Sequence, residues 1–208
     1  MMAAAAMFRY SMSFTSGTLL LRESLTIAEI YGELPDWDSV RSMVLAENRL
    51  QMRTANASQR IYREIASRLK QLTADEFDLL LHGSLQEQSY LLWLAVCKRY
   101  RFIHDFAAEV VREKYLRFDF EIKPEEYDTF FNRKAEWHPE VEAVAPATRK
   151  KQRQFVYRML HEAQLVGGDQ RIIPALLTSR LVDAIRADDP AHFVIYPVSE
   201  MEVQRWMQ

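Results

Sequence analysis

An uninterrupted apolar run at Tyr90–Cys97 constrains the fold of this chain more than any other stretch. The preceding Ser84-Leu85-Gln86-Glu87 has the Ser-x-x-Glu form of a capping box, which marks the start of a helix. A helix that is apolar on all sides must be covered on all sides. The sequence therefore predicts a buried helix around which the other elements pack.

A second apolar stretch follows the basic break Lys98–Arg101, with Phe102, Phe106 and Val110 at four-residue spacing. This pattern is typical of a helix with one buried face. Residues 84–116 therefore form either two buried helices in succession or one long helix that is bent near Tyr100. Both alternatives predict a central buried helix pair.

Capping residues and hydrophobic spacing predict further helices on both sides of this pair. They cover residues 18–31, 57–72, 73–83, 148–166 and 199–206, and three others begin at Asp36, at Pro124, and at Thr178 or Ser179. Two short β-branched stretches, Arg171–Pro174 and Phe193–Pro197, predict two strands and a winged-helix-like element. The predicted fold class is mainly α and two-lobed, with residues 11–118 in an N-terminal helical lobe and residues 119–208 in a C-terminal one.

Composition predicts a soluble, cytoplasmic protein. The chain is 49% apolar and 27% charged with a formal net charge of −2, so any nucleic-acid site requires local segregation of charge. The single cysteine, Cys97, excludes an intrachain disulfide and fits a reducing compartment. Residues 1–10 lack the pattern of a signal peptide. The run Tyr90–Cys97 would span only about 12 Å as a helix, against about 30 Å for a bilayer core.

Cations gather in a first segment, where Arg41–Lys70 contains seven basic residues against Glu47 and Glu64. On the predicted helix 57–72, apolar residues occupy one face and polar residues the other. The polar face carries Gln59, Arg60, Arg63, Ser67 and Lys70. A helix, a short break and a helix with such a face is the outline of a helix-turn-helix reader of DNA. The alternative is an ordinary solvated face of an amphipathic helix.

A second group of cations, Arg149, Lys150, Lys151 and Arg153, lies in the first turns of the predicted helix 148–166. Cations at a helix N-terminus oppose the macrodipole, at a cost of about 0.3–1 kcal/mol each. A bound phosphate would reverse that sign. The alternative is pairing with the acidic segment Asp119–Glu142, which has eight carboxylates against three cations.

The residues that catalysis or metal binding would need do not form a recognisable motif. The five histidines are scattered, and no phosphate-binding loop, dinucleotide fingerprint or nucleophile elbow occurs. His104-Asp105 and Glu125-Glu126 could act as acid–base pairs, but a structural role is favoured for both. The sequence predicts a protein that is not an enzyme and has no cofactor, metal or small-molecule substrate.

Four stretches carry a resemblance to a known family. They are Ser13–Gly17, Gln86–Phe102, Lys134–His138 and Pro174–Leu177. In these stretches the chain resembles the BrxA family, a small component of the BREX bacteriophage-defence systems. The resemblance implies a mostly helical protein, similar in part to the RNA-binding antitermination factor NusB, with a role in DNA binding. It also implies partners, because BREX systems include a methyltransferase, an ATPase and a phosphatase-like protein.

Two functions follow as expectations. The first is a non-catalytic accessory protein that holds double-stranded DNA through Arg60, Arg63, Lys70, Arg149, Lys150, Lys151 and Arg153. The second is a scaffold that docks other BREX proteins without binding DNA. The first is favoured, because opposite charges are segregated along the sequence and the resemblance points the same way.

Overall fold

Helices make up most of the computed structural model, which describes residues 9–14 and 16–208. The first part contains α1 (Leu21–Glu33), α2 (Trp37–Ala46), α3 (Ala55–Leu69), α4 (Ala74–His82) and α5 (Leu85–Arg99). The second part contains α6 (Arg101–Phe106), a π-helical segment (Ala107–Arg112), α7 (Glu113–Leu116), α8 (Pro124–Ala135), α9 (Pro139–Glu142), α10 (Pro146–Glu162), α11 (Ser179–Asp188), a 3-10 helix (Pro190–Ile195) and α12 (Glu200–Trp206). The predicted mainly α fold class is confirmed. The expectation of no signal peptide at residues 1–10 falls largely outside the described residues.

The predicted capping boxes set the starts of three helices. At Thr73, Ser84 and Ser199 the hydroxyl accepts a hydrogen bond from a backbone N–H three residues on, and a glutamate there accepts one from the cap's own N–H. Both contacts satisfy donors that a helix start leaves free. Asp36 and Thr178 cap α2 and α11 through single side-chain contacts. These helix starts are confirmed.

The predicted buried helix is α5, in which every residue from Glu87 to Cys97 is buried. Trp93 has no exposed surface, and its indole Nε1 donates to the Ile195 carbonyl oxygen at 3.1 Å. Tyr100, at φ −122° and ψ 89°, ends α5 and precedes α6, so the two helices follow one another in succession. Cys97 is 1% exposed, and burial raises the pKa of its thiol, which keeps it protonated.

The helix that follows Tyr100 is widened in its middle. Residues 101–116 run through α6, the π-helical segment and α7 without interruption. Phe102 and Phe106 on this helix pack edge to face against Tyr127 and Phe130 of α8, at ring-centroid distances of 5.1–6.0 Å. This aromatic cluster holds α8 against the central pair.

A buried charge cluster joins α4, α5 and α11 at Lys98. The Lys98 Nζ lies 2.6 Å from Glu76 Oε2 and 2.7 Å from Asp188 Oδ2, and the Glu76 side chain has no exposed surface. Charges removed from water are tolerated when they are paired and hydrogen-bonded. The cluster therefore fixes how these three helices meet.

The two predicted strands do not form. Arg171 and Ile172 make isolated antiparallel bridges to Glu121 and Val166, and these bridges do not extend into a ladder. Residues 190–195 form a 3-10 helix instead of part of a second strand, because Asp189 caps it and Trp93 takes the Ile195 carbonyl. The winged-helix-like element is therefore wrong for the described residues.

Some helix ends differ from the sequence prediction. The helix predicted to reach Val166 ends at Glu162, because Gln164 adopts a left-handed φ of 57° and the Leu165 N–H bonds back to the Leu160 carbonyl. This is the Schellman arrangement, here without glycine at the left-handed position. Helix α1 continues through Gly32 to Glu33, two residues beyond its predicted end at Tyr31.

The buried core is continuous across residue 118. Ile122, Tyr127 and Phe130 belong to the same hydrophobic cluster as Phe102 and Trp93. The division into lobes of residues 11–118 and 119–208 stays a prediction.

The Glu87 carboxylate makes the fold sensitive to acid. Its side chain is 3% exposed and accepts from Ser84 N at 2.7 Å, Thr178 Oγ1 at 2.6 Å and Arg180 Nη2 at 3.0 Å. Burial acts to raise the Glu87 pKa, but these donors outweigh it and hold the pKa below its ordinary value. A lowered carboxylate pKa stabilises the folded state above the unfolded-state pKa, and that stability is lost as the pH falls through the folded-state value.

We expect Glu87→Gln to flatten the loss of stability below about pH 5, because the glutamine has no proton to gain. At neutral pH the variant is less stable by about 1–3 kcal/mol, since the hydrogen bonds from Ser84, Thr178 and Arg180 lose their charged acceptor. Denaturant unfolding at a series of pH values measures both effects. The exposed variant Glu29→Gln is the control, and an unchanged acid slope in Glu87→Gln would contradict the account.

Candidate nucleic-acid interface

Two cations of α3, Arg60 and Arg63, lie on its solvent side, as predicted. Ile61, Ile65 and Leu69 are buried, whereas Arg60 and Arg63 are exposed. Neither arginine makes an ion pair with any residue in the described part of the chain. These two guanidinium groups are therefore available to an external anion.

Two of the remaining polar residues of this segment, Lys70 and Ser67, already contact other groups of the protein. Lys70 is exposed and follows the end of α3, with its Nζ 5.2 Å from the centre of the Trp37 ring. The Ser67 hydroxyl donates to the Glu64 carbonyl at 2.8 Å, and Gln59 is half-buried. A hydroxyl already bonded to its own helix is a poor reader of base edges.

The loop between α2 and α3 is longer than that of a helix-turn-helix motif. It spans residues 47–54, whereas the motif joins its helices by a turn of about three to four residues. Asn48 and Gln51 have left-handed φ values of 47° and 52°, and the Asn48 side chain bonds to both backbone groups of Met52. Of the helix-turn-helix motif predicted from the sequence, the structure has the two neighbouring helices α2 and α3 but not the short turn.

Two of the four cations at the start of α10 are held by α8. Arg149 Nε lies 2.9 Å from Asp128 Oδ1, and its Nη1 lies 2.7 Å from Asn132 Oδ1. Arg153 pairs with the other oxygen of the same carboxylate. The Arg149 guanidinium also lies 4.4 Å from the centre of the Phe131 ring. The structure thus places Arg149 and Arg153 in the pairing with the acidic segment that the sequence offered as the alternative.

The other two cations of α10 remain exposed. Lys150 and Lys151 have no carboxylate partner in the part of the chain that is described, and Lys151 Nζ lies 5.6 Å from the centre of the Phe155 ring. The start of α10 has no side-chain cap hydrogen bond either. Both features favour binding of an anion near this end.

The acidic segment is neutralised only in part by contacts within the fold. Asp119 and Glu126 both bind Lys114, at 2.5 and 2.7 Å. Two cations of the segment, Arg133 and Lys134, form ion pairs with Glu109, which lies outside it, at 2.7 and 2.6 Å. The charge segregation seen along the sequence is therefore only partly kept by the fold.

The ends of α3 and α10 meet at one short segment. Arg68 donates to the Thr18 carbonyl oxygen at 2.5 Å, and the Leu19 N–H donates to Glu162 Oε2 at 2.8 Å. Arg68 is buried and also pairs with Glu64 at 2.8 Å, so its charge is used inside the protein. The two cation-bearing helices are thus joined at Thr18–Leu19.

A groove of about 660 Å³ beside α10 was not predicted from the sequence. Arg153, Tyr157 and His161 line one side, and Gly167 and Gly168 line the other. The four-residue spacing of the first three residues is the sequence signal that marks this face of the helix. An aromatic ring beside cations and small residues can accept an anionic or aromatic group.

A metal site and a membrane-spanning helix each have requirements that can be compared with the described residues. Residues 9–14 and 16–208 contain no group of three or more side chains that could hold a metal ion. Within the same residues every helix is too short or too polar to cross a lipid bilayer.

The fold and its surface define a mainly helical protein with cation-bearing surface helices. A family model described as BrxA matches residues 8–189, and the chain belongs to this family of BREX systems. The chain is 28% identical over 155 residues to a BREX protein BrxA of Escherichia coli O9:H4 (strain HS), covering 74% of this chain and 73% of the relative.

Two further comparisons agree. A BREX protein BrxA of Bacillus cereus (strain H3081.97) is 24% identical over 181 residues, which cover 86% of this chain and 90% of the relative. The crystal structure of an uncharacterized protein from Magnetospirillum magneticum superposes with a TM-score of 0.78 at 22% identity, covering 91% of this chain and 98% of that chain. At this identity the crystal structure supports the fold alone.

The shared carboxylate of Asp128 should control how much positive charge α10 presents. We expect Asp128→Asn to tighten binding of a short DNA duplex by about two- to five-fold at ~0.1 M salt, because two guanidinium groups are released and one negative charge is lost. Stability should change by less than about 1 kcal/mol, since the pairs are partly exposed. Fluorescence anisotropy with labelled duplex measures the affinity.

The matched control is Asp183→Asn, which removes the same charge from an exposed pair with Arg186 on α11. An equal effect of the two substitutions would show that net charge, and not the release of Arg149 and Arg153, governs the affinity.

Proposed function

We propose that this chain is a non-catalytic DNA-binding component of a BREX system, which contacts duplex phosphates through cations of α3 and α10. The observation that supports the proposal best is that four exposed cations of α3 and α10 have no carboxylate partner in the described residues: Arg60, Arg63, Lys150 and Lys151. Lys70, Arg149 and Arg153 complete the proposed contact set from positions that are partly engaged within the protein.

Phosphate contacts explain why the site has cations but few free polar groups. Lysine and arginine bind the DNA backbone without reading its sequence, whereas specificity requires hydrogen bonds to base edges. Ser67 is bonded to its own helix and Gln59 is half-buried. The proposed binding is therefore tolerant of DNA sequence.

The dependence of binding on salt tests this proposal. Each phosphate contact adds about 0.9 to the slope of log affinity against log salt concentration. We expect the double variants Arg60→Ala/Arg63→Ala and Lys150→Ala/Lys151→Ala each to weaken duplex binding and to reduce that slope by about 1–2. Titration of one labelled duplex at several salt concentrations provides the slopes.

Arg22→Ala/Arg205→Ala is the matched control, because it removes from α1 and α12 two exposed cations that likewise have no carboxylate partner in the described residues. If this control lowers the slope as much as the α3 and α10 variants, the assigned contact residues are wrong. If the unmodified protein does not bind duplex at all, the proposed function is wrong.

Exposed aromatic side chains favour a second function, a scaffold that docks other BREX proteins. Phe118 is 82% exposed and Trp137 is 67% exposed, and they lie before and within the acidic segment. Aromatic residues are enriched in protein interfaces. Co-purification with BREX partners after nuclease treatment, lost in Phe118→Ser/Trp137→Ser but kept in Leu85→Ser, would support this function.

A further inference from the structure

A groove of about 510 Å³ lies beside the π-helical segment, and four arginines line it. They are Arg101 of α6, Arg112 of the π-helical segment, Arg117 after α7 and Arg133 of α8. This volume is within the range of small-ligand sites, about 300–1,000 Å³. π-helical turns within α-helices occur frequently at functional sites.

Three of the four arginines have carboxylate partners that line the same groove. The pairs are Arg101–Asp105 at 2.7 Å, Arg133–Glu109 at 2.7 Å and Arg117–Glu113 at 3.3 Å. Within the described residues, none of these carboxylates pairs with Arg112. The lining therefore carries one positive charge more than its own acids compensate, and that charge belongs to Arg112.

Arg112 is the buried member of the set. It is 7% exposed, its Nη2 lies 2.8 Å from Glu200 Oε1, and its Nε has no hydrogen-bond partner in the part of the chain that is described. A buried donor without a partner costs about 1–3 kcal/mol. An anion that accepts a hydrogen bond from Nη2 could therefore also accept one from Nε through a second oxygen.

The carboxylate on Arg112 comes from a peripheral helix. Glu200 is the first residue of α12, a helix without buried residues, and its side chain is 61% exposed. The α12 helix is held by the Trp206 ring against Phe193, at 5.1 Å, and by Arg186 on the Trp206 carbonyl at 3.2 Å. The match to the BrxA family ends at residue 189, before this helix.

We propose that the Arg112 guanidinium binds a phosphate group in this groove. The Glu200 carboxylate, which pairs with the same guanidinium, would compete with that phosphate. A phosphate can accept from both Nη2 and Nε at once, in the bidentate manner that arginine favours. Displacement of Glu200 would free the guanidinium for the phosphate. This inference goes beyond the proposed function, because it does not use the cations of α3 and α10.

The variant Glu200→Gln tests the competition. It keeps the size of the side chain but removes the negative charge, so we expect inorganic phosphate to bind at least about five-fold more tightly than to the unmodified protein. Isothermal titration with phosphate, in chloride buffer of constant ionic strength, measures the affinity. Glu29→Gln makes the same charge change on the exposed side of α1 and should leave phosphate affinity unchanged.

Unchanged phosphate affinity in Glu200→Gln, or an equal gain in Glu29→Gln, would overturn the inference. Adding Arg112→Lys to Glu200→Gln should abolish the gain, because lysine cannot offer two parallel donors. Circular dichroism checks that this double variant folds, and the single variant decides the matter if it does not.

A duplex DNA titration of Glu200→Gln distinguishes two sources of the phosphate group. A gain with both duplex and phosphate assigns the site to the nucleic-acid backbone, and a gain with phosphate alone assigns it to a free phosphate. Loss of duplex binding in the α3 and α10 variants tests the proposed function separately.

Discussion

The helix α5 is buried on every side, so the rest of the chain has to cover all of its faces. Its residues from Glu87 to Cys97 leave no face for solvent, so helices from both ends of the sequence pack onto it. The polar atoms at its ends are satisfied by distant elements, at Lys98 by Asp188 and at Glu87 by Thr178. Hydrophobic burial thus brings the elements together, and a few buried charges fix their arrangement.

Charge compensation between elements decides which cations remain for a partner. Asp128 pairs with two arginines of α10, and Glu109 pairs with two cations of α8, so each carboxylate compensates one of two positive charges. Such pairs contribute little to stability but reduce the field of the surface, because opposite charges a few ångströms apart cancel at a distance. A basic segment in a sequence is therefore an upper limit on the positive surface that the folded protein presents.

The sequence predicts those features that depend on neighbouring residues. Capping boxes at Thr73, Ser84 and Ser199 and the break at Tyr100 are local, and the structure confirms them. The two strands failed because a strand needs a partner, and Trp93, 102 residues away from Ile195, takes the carbonyl oxygen at the end of the 3-10 helix instead. The pairing of Asp128 with two arginines is non-local in the same sense.

In the candidate site, too, features set by neighbouring residues could be predicted and features set by distant residues could not. The exposed side of α3 could be predicted from helical spacing, and Arg60 and Arg63 lie there. The surroundings of Arg112 could not be predicted, because they depend on a π-helical turn and on a carboxylate 88 residues further along the chain.

The burial of Cys97 has a practical consequence for spectroscopy. Its thiol is enclosed by α5 and its neighbours, and its raised pKa leaves little thiolate to react. Because the chain contains only this cysteine, one introduced on an exposed helix would be the sole accessible thiol. The natural sequence thus accepts a single fluorophore or spin label without a cysteine-free background, and distances to a labelled duplex or to α12 become measurable.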